Sequence, residues 1–248
     1  VAVRELVEDP YLEVLCYPHP SPEEAQARVQ ELLGLGVTHL IFAGRVQLGA
    51  LKVLGKGCVG VVVKGLLEGR EVAVKIRRVD ANRPSLSQEA QLTLEANRLG
   101  VGPRLHHHSE NFLVMELVRG VEIGEFLHQA RDRSGVAPTL QELLHQCYRL
   151  DRAHLDHGEL ANLRRHVYVA PTLGPRVWIV DFETASRERR PRNLTSATQY
   201  LLIGGPYAPK LRRILGLAGL EPLLKALKAY KQEPSPRTYQ ALLEVVHL

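Results

Sequence analysis

Apolar residues recur at helical spacing over residues 21–33, where Ala25, Val29, Leu32 and Leu33 fall on one face. Ser21-Pro22-Glu23-Glu24 opens this stretch as a cap with proline at the first position and acids in the first turn, and Gly34 and Gly36 stop it. The period then shortens. Residues 38–42 and 46–54 read as strands and lead into Gly55-Lys56-Gly57-Cys58-Val59-Gly60, after which Val61, Val62 and Val63 resume a strand. A turn at Gly69 follows, and Glu71-Val72-Ala73-Val74-Lys75-Ile76 predicts another strand. Residues 85–99 return to helical spacing, with Leu92, Ala96 and Leu99 on one face, and Gly100-Val101-Gly102-Pro103 ends that helix. Two short apolar runs, 103–106 and 112–117, close the strand-rich half. From residue 121 the pattern is mainly helical, interrupted by a predicted strand pair at 167–170 and 177–180. Beyond Asn193, Leu211, Leu215, Leu220, Leu223, Leu224 and Leu227 offer a core face.

The change of pattern near Glu116 predicts an α+β chain with a small β-rich part over residues 46–118 and a helical part over 119–248. Residues 1–45, a helix plus a strand, form an extension of the β-rich part. A connection at 116–120 makes a cleft between the parts the expected binding site. Composition changes this picture little: 45% apolar and 24% charged residues are ordinary globular values. Cys16, Cys58 and Cys147 lack metal-type spacing and read as reduced thiols of a cytoplasmic protein. No run approaches the roughly 18 apolar residues of a bilayer span, and Arg4, Glu5, Glu8 and Asp9 break up the first residues, so no membrane partner is expected. A formal charge of +5 is compatible with ATP or RNA as partners but does not select them. The basic cluster Arg187-Glu188-Arg189-Arg190-Pro191-Arg192 reads as a solvated loop.

Gly55, Gly57 and Gly60, with Val62, fit G-x-G-x-x-G-x-V. Glycines let a backbone turn tightly and approach phosphate oxygens that a Cβ would hold away. A dinucleotide-binding loop with the same glycines opens a helix at once, whereas here a valine strand follows. Lys75 stands 20 residues beyond Gly55 in Val72-Ala73-Val74-Lys75, where an ammonium can neutralise phosphate charge. An isolated lysine on a strand is ordinarily solvated; the joint spacing argues otherwise. Its carboxylate partner on the next helix is Glu89 or Glu95, between which periodicity does not choose. Asp181-Phe182-Glu183 follows the strand Val177-Trp178-Ile179-Val180, where a metal-binding Asp of the D-F-G type would stand with the glycine replaced.

Taken in order, Leu54-Gly55-Lys56-Gly57, Val72-Ala73-Val74-Lys75, Val114-Met115-Glu116-Leu117, His157-Gly158-Glu159-Leu160 and Val180-Asp181-Phe182 resemble the motifs of RIO-type and related small archaeal serine/threonine kinases. The resemblance covers roughly residues 50–186 and extends to the kinase subunit of the tRNA threonylcarbamoyladenosine-forming complex. It implies a protein-kinase-like two-lobed fold with a reduced helical second lobe, and ATP and Mg2+ as cofactors. It further implies that Gly55, Lys56, Gly57, Cys58, Val59, Gly60 and Val62 cover the phosphates and that Lys75 binds them beside Ala73. Glu89 becomes the lysine's partner, with Glu95 in reserve. Met115 lines the back of the adenine pocket, Glu116, Leu117 and Val118 meet adenine through backbone groups, and Asp181 holds the metal. The acceptor would be another protein or the chain itself, and an RNA-associated assembly is a further expected partner.

The catalytic loop departs from that family, since His157-Gly158-Glu159 stands where His-Gly-Asp is usual. Glu159 is the expected base, with an arm one methylene longer, and Asp156 in His154-Leu155-Asp156 ranks second. Five residues beyond Glu159 stands Arg164 instead of the usual metal-binding Asn; Asn162 and His166 lie nearby, and the second metal ligand is unassigned. No A-P-E motif follows Asp181. These departures leave open a kinase, an ATPase and a nucleotide-binding pseudokinase. His106, His107 and His108 read as a loop, because neighbouring histidines rarely converge on one ion. Cys58 reads as a small buried residue, and Thr195 and Ser196 as helix-start hydroxyls and conceivable autophosphorylation sites.

Overall fold

In a computed structural model the chain is α+β, and residues 1–170, 176–217 and 219–248 are described. It divides into two compact units, one of Val1–Leu94 with Pro103–Val118 and one of Glu95–Gly102 with Arg119–Leu248. No helix among the described residues is long and apolar enough to cross a membrane.

The first unit opens with a 3-10 turn (Val3–Val7) and helices α1 (Tyr11–Leu15) and α2 (Pro22–Gly34). Ser21 caps α2 by accepting from the Glu24 N–H at 3.4 Å, with Pro22 in the first turn, as the sequence predicts. Strand β1 (Val37–Ile41) follows, then β2 (Val46–Leu48) and β3 (Leu51–Val53). The single strand expected over 46–54 is thus a hairpin: Gly49 takes φ +56°, a left-handed geometry that folds Leu48 against Leu51. Strands β4 (Gly55–Lys56), β5 (Gly60–Leu67) and β6 (Arg70–Arg77) come next, then α3 (Ser87–Arg98), whose residues from Glu95 on count with the second unit, and β7 (Leu105–His108) and β8 (Phe112–Glu116). All pairings are antiparallel, in the order β1-β5-β6-β8-β7, with β4 pairing β5. Residues 1–45 share one apolar core with this sheet: Leu6, Leu15, Val29 and Leu32 pack in the same cluster as Val61, Val63, Val74 and Val114. Arg28 is fully buried in that unit, and its guanidinium donates to the carbonyls of Leu15 and Arg77 and to Glu24.

In the second unit β9 (Val121–Glu122) leads into α4 (Ile123–Gln129) and α5 (Arg133–Arg152). A 3-10 turn (Leu163–Arg165) precedes β10 (Val167–Val169), which pairs with β9 and with β11 (Val177–Ile179). Helix α6 (Asn193–Gln199) runs on into a π-helical turn (Tyr200–Gly204), and α7 (Ala208–Leu215), α8 (Glu221–Gln232) and α9 (Pro236–Val245) complete the unit. Leu140, Leu143, Leu144, Leu150, Leu194, Leu211, Leu223 and Leu242 are buried, so α5 presents a continuous apolar face.

Candidate functional site

The residues singled out by their chemistry fall into two groups, one in each unit. In the first, β4 and β5 make a tight hairpin: Gly55 pairs with Val62, Lys56 with Val61, and the Gly57 N–H donates to the Gly60 carbonyl at 2.8 Å. The chain leaves the glycines as a strand, which separates this loop from the dinucleotide type. Arg78 braces the hairpin, its N–H donating to the Val59 carbonyl at 2.8 Å and its Nη1 to the Gly57 carbonyl at 3.1 Å. Tyr17 adds a second brace: its hydroxyl accepts from Lys56 Nζ at 3.0 Å, and Lys56 and Arg78 lie 4.9 and 5.0 Å from its ring centre. No spacing rule links Tyr17 or Arg78 to the glycines, so sequence reasoning missed both. Cys58 is exposed at the hairpin tip, where no strand pairing covers it, which corrects its expected burial.

Lys75 sits on β6 between Val62 of β5 and Leu113 of β8. A Cβ on Gly60 would lie 3.0 Å from both Cγ and Cε of Lys75, so the glycine there makes room for the lysine stem. Lys75 Nζ donates to both carboxylate oxygens of Glu89, at 2.8 and 2.9 Å, and both side chains are buried. Glu95, the reserve partner, belongs to the second unit and faces Arg187 at 3.4 Å. The alternative is therefore settled for Glu89.

Ala73 pairs in register with Met115. Met115 packs on the small cluster of Val59, Leu86, Ala90, Leu105 and Leu113. The Glu116 N–H is spent on the Arg104 carbonyl at 2.7 Å, so a backbone donor to a purine would fall to Leu117 or Val118, in the irregular link after β8. His106, His107 and His108 lie on strand β7 and not in a loop, and all three are exposed. Alternate directions along a strand keep them from converging, which preserves the argument against a shared ion.

In the second unit the loop around His157 is held by buried polar contacts. The His157 N–H donates to Asn193 Oδ1 at 2.8 Å, and Thr184 Oγ1 donates to the His157 carbonyl at 3.0 Å. Nε2 of His157 lies 3.0 Å from the Val180 carbonyl, which makes it the protonated nitrogen, and burial pushes the imidazole down to about 4, so the ring stays neutral. Asn193 donates in turn to Asp151 and to the Leu155 carbonyl, each at 2.8 Å. Burial pushes the Asp151 carboxyl up to about 6, while its contacts with the N–H groups of Leu194 and Asn193, the Asn193 amide and the Tyr230 hydroxyl hold the rise back. Gly158 takes φ +93°, and a Cβ there would meet Thr184 and Arg189. Neither Asp151 nor Asn193 stands in a recognisable motif, and the sequence offered no signal for either.

Glu159 follows on this anchored loop, with a side chain 40% exposed. Its Oε2 lies 3.6 Å from Nε2 of His166, and one ligand atom from each of Glu159, His166 and Asp181 falls within 4.8 Å of the others. Asp181 has φ +71°, a left-handed geometry that Asp tolerates better than most residues, and Phe182 is buried edge-on to His157 at 5.0 Å. Asp156, second choice as base, is committed elsewhere: it is buried, pairs through its backbone with Ser186, and accepts from Arg189 Nε at 2.9 Å and the Arg192 N–H at 3.2 Å. Asn162 caps the 3-10 turn through the Arg164 N–H.

Arg187 and Arg189 belong to these contacts, and Arg190 donates to the Lys231 carbonyl, so the basic cluster is partly structural and not simply solvated. Thr195 and Ser196 lie inside the first turn of α6, whose N-cap is Arg192, and Thr195 donates back to the Arg192 carbonyl at 3.1 Å; neither caps the helix.

Comparison with models of protein families gives no match, and comparison with curated proteins gives none either.

Proposed function

We propose that this chain binds ATP with a divalent metal ion and transfers the γ-phosphoryl group to a serine or threonine hydroxyl, as a RIO-like atypical kinase of protein-kinase-like, two-lobed fold. The buried Lys75–Glu89 pair beside the glycine hairpin carries this reading. A carboxylate that takes two bonds from one ammonium fixes the lysine, and a fixed cation beside a glycine hairpin whose backbone a phosphate can approach closely suits a polyphosphate. The hairpin receives the phosphates, and the segment from Glu116 to Val118 receives the base.

Glu159, His166 and Asp181 fit a divalent ion, because two carboxylates and an imidazole can bring ligand atoms together. Asp181 and His166 would hold it, His166 standing in for the usual Asn. When bound, the ion supplies charge neutralisation for the transferred group. Carboxylate oxygens suit magnesium, while a nitrogen ligand tilts the preference toward a transition metal such as manganese. Glu159 orients the acceptor hydroxyl and takes its proton, a role its exposure leaves room for.

A second reading, an ATPase or pseudokinase serving an RNA-related assembly in the cytoplasm, is favoured by the same Glu159: its longer, half-exposed arm is less constrained than the Asp it replaces. Incubation with γ-labelled ATP and either Mg2+ or Mn2+ separates the readings. Transfer of label to protein, lost in Asp181→Asn, is expected. Free phosphate without labelled protein would point to the ATPase, and bound but unconsumed ATP to the pseudokinase.

A further inference from the structure

The second unit contains a cavity of about 580 Å³ that none of these roles uses. Asn162, Arg164, Ser196, Gln199, Tyr200 and Ile203 line it. The Asn162 N–H donates to the Glu159 carbonyl at 3.0 Å, so one wall is the continuation of the loop that carries the expected base. The opposite wall is the end of α6 and the π-helical turn after it.

Polar side chains from both walls meet this space, Arg164 and Gln199 exposed to it and Ser196 partly so. The Tyr200 ring forms part of the floor, and its hydroxyl is buried beneath the surface with no hydrogen-bond partner among the described residues. Among the described residues the side chains of Arg164, Ser196 and Gln199 form no hydrogen bond or ion pair either. The surroundings are also one-signed. No Asp or Glu occurs between Glu159 and Asp181, nor between Glu188 and Glu221, while those stretches carry Arg164, Arg165, Lys210, Arg212 and Arg213. A concave site with a guanidinium and neutral donors, and no carboxylate on its walls, favours an anion.

We propose that this cavity is the acceptor subsite, and that it selects a peptide segment with an acidic side chain next to the accepting serine or threonine. The inference rests on the kinase reading and adds the substrate class. Arg164 takes the carboxylate, and Ser196 and Gln199 supply further donors. One guanidinium in a pocket matches one carboxylate, whereas a nucleic-acid strand calls for a row of cations and open aromatic faces.

The test is the binding of a short fluorescein-labelled peptide, one serine flanked by glutamates, read by anisotropy against the same peptide with glutamines. Binding of Mg–ATP is followed separately by thermal shift. The acidic peptide is expected to bind about tenfold more tightly, a difference that Arg164→Gln removes without altering the ATP shift. Equal binding of the two peptides, or a preference that survives Arg164→Gln, overturns the proposal. So does single-stranded RNA that binds through Arg164 while the peptides do not. An Arg164-dependent preference with no ATP shift would instead overturn the kinase reading and leave an acidic-peptide site standing.

Discussion

Lys75 and Glu159 are the two residues on which the proposed chemistry depends most, and their surroundings differ in kind. Lys75 is buried and holds both oxygens of Glu89 at hydrogen-bond distance. Glu159 is 40% exposed, and the nearest ring nitrogen, Nε2 of His166, lies 3.6 Å from its carboxylate. A fully bonded, buried charge has one position; a partly solvated carboxylate on a longer arm has several. The difference teaches that the proposed phosphate-binding pair is held more rigidly than the proposed base. The looseness belongs to the Glu159 side chain alone, because the loop beneath it is fixed by Asn193, Thr184 and Val180.

Lys75→Met should break the comparison most severely. It takes away the ammonium that holds both oxygens of the buried Glu89 carboxylate, and removing one partner of a buried pair costs about 3–5 kcal/mol. The midpoint of urea unfolding should fall accordingly, with ATP binding lost. Adding Glu89→Leu should recover part of the stability but none of the binding, since the pair's desolvation cost vanishes along with it. Recovery of ATP binding in the double variant would show that the lysine does not hold phosphate.

Glu159 offers the sharper contrast. Glu159→Gln should change stability by less than about 0.5 kcal/mol, as an exposed position does, while stopping label transfer. Glu159→Asp shortens the arm by one methylene and should raise the transfer rate, by as much as about 100-fold if a misplacement near 1 Å is the handicap. An unchanged rate in single-turnover assays would show that arm length does not limit transfer.

The smallest expected effect concerns the anchor under the loop. Asp151, with its carboxyl pushed up to about 6, binds a proton more readily folded than unfolded. Its contribution is therefore present below pH 4 and lost as pH rises through about 6. His157, pushed down to about 4, has the opposite sign: its contribution is present above about pH 6.5 and lost as pH falls toward 4. The two offset each other between pH 4 and 6. Asp151→Asn should leave the histidine term uncompensated, so that stability by urea unfolding falls more steeply on acidification, by about 1–3 kcal/mol across that window. A profile parallel to that of the unaltered protein would show that Asp151 does not titrate there.

Much of this arrangement was legible in the sequence because local chemistry dictates it. The Ser21 cap, the glycine hairpin followed by valines, and the strand carrying Lys75 all express preferences of adjacent residues. The choice of Glu89 over Glu95 came from resemblance and not from periodicity, and it took three dimensions to see Glu95 against Arg187. The 46–54 hairpin was missed because the glycine that turns it, Gly49, lies within an apolar run that reads as one strand. Asp156 was overvalued because an Asp two residues after a His has the spacing of a base, whereas its burial with Arg189 depends on a segment 33 residues away. Tyr17, Asp151 and Asn193 act through contacts between distant segments, which no local pattern encodes.

The central claim is that the fixed Lys75–Glu89 pair and the glycine hairpin bind ATP, and calorimetric titration of the purified chain with Mg–ATP and Mn–ATP tests it most directly. Saturable one-site binding that disappears in Lys75→Met is the predicted result. A chain that takes up no nucleotide with either metal while remaining folded would contradict it.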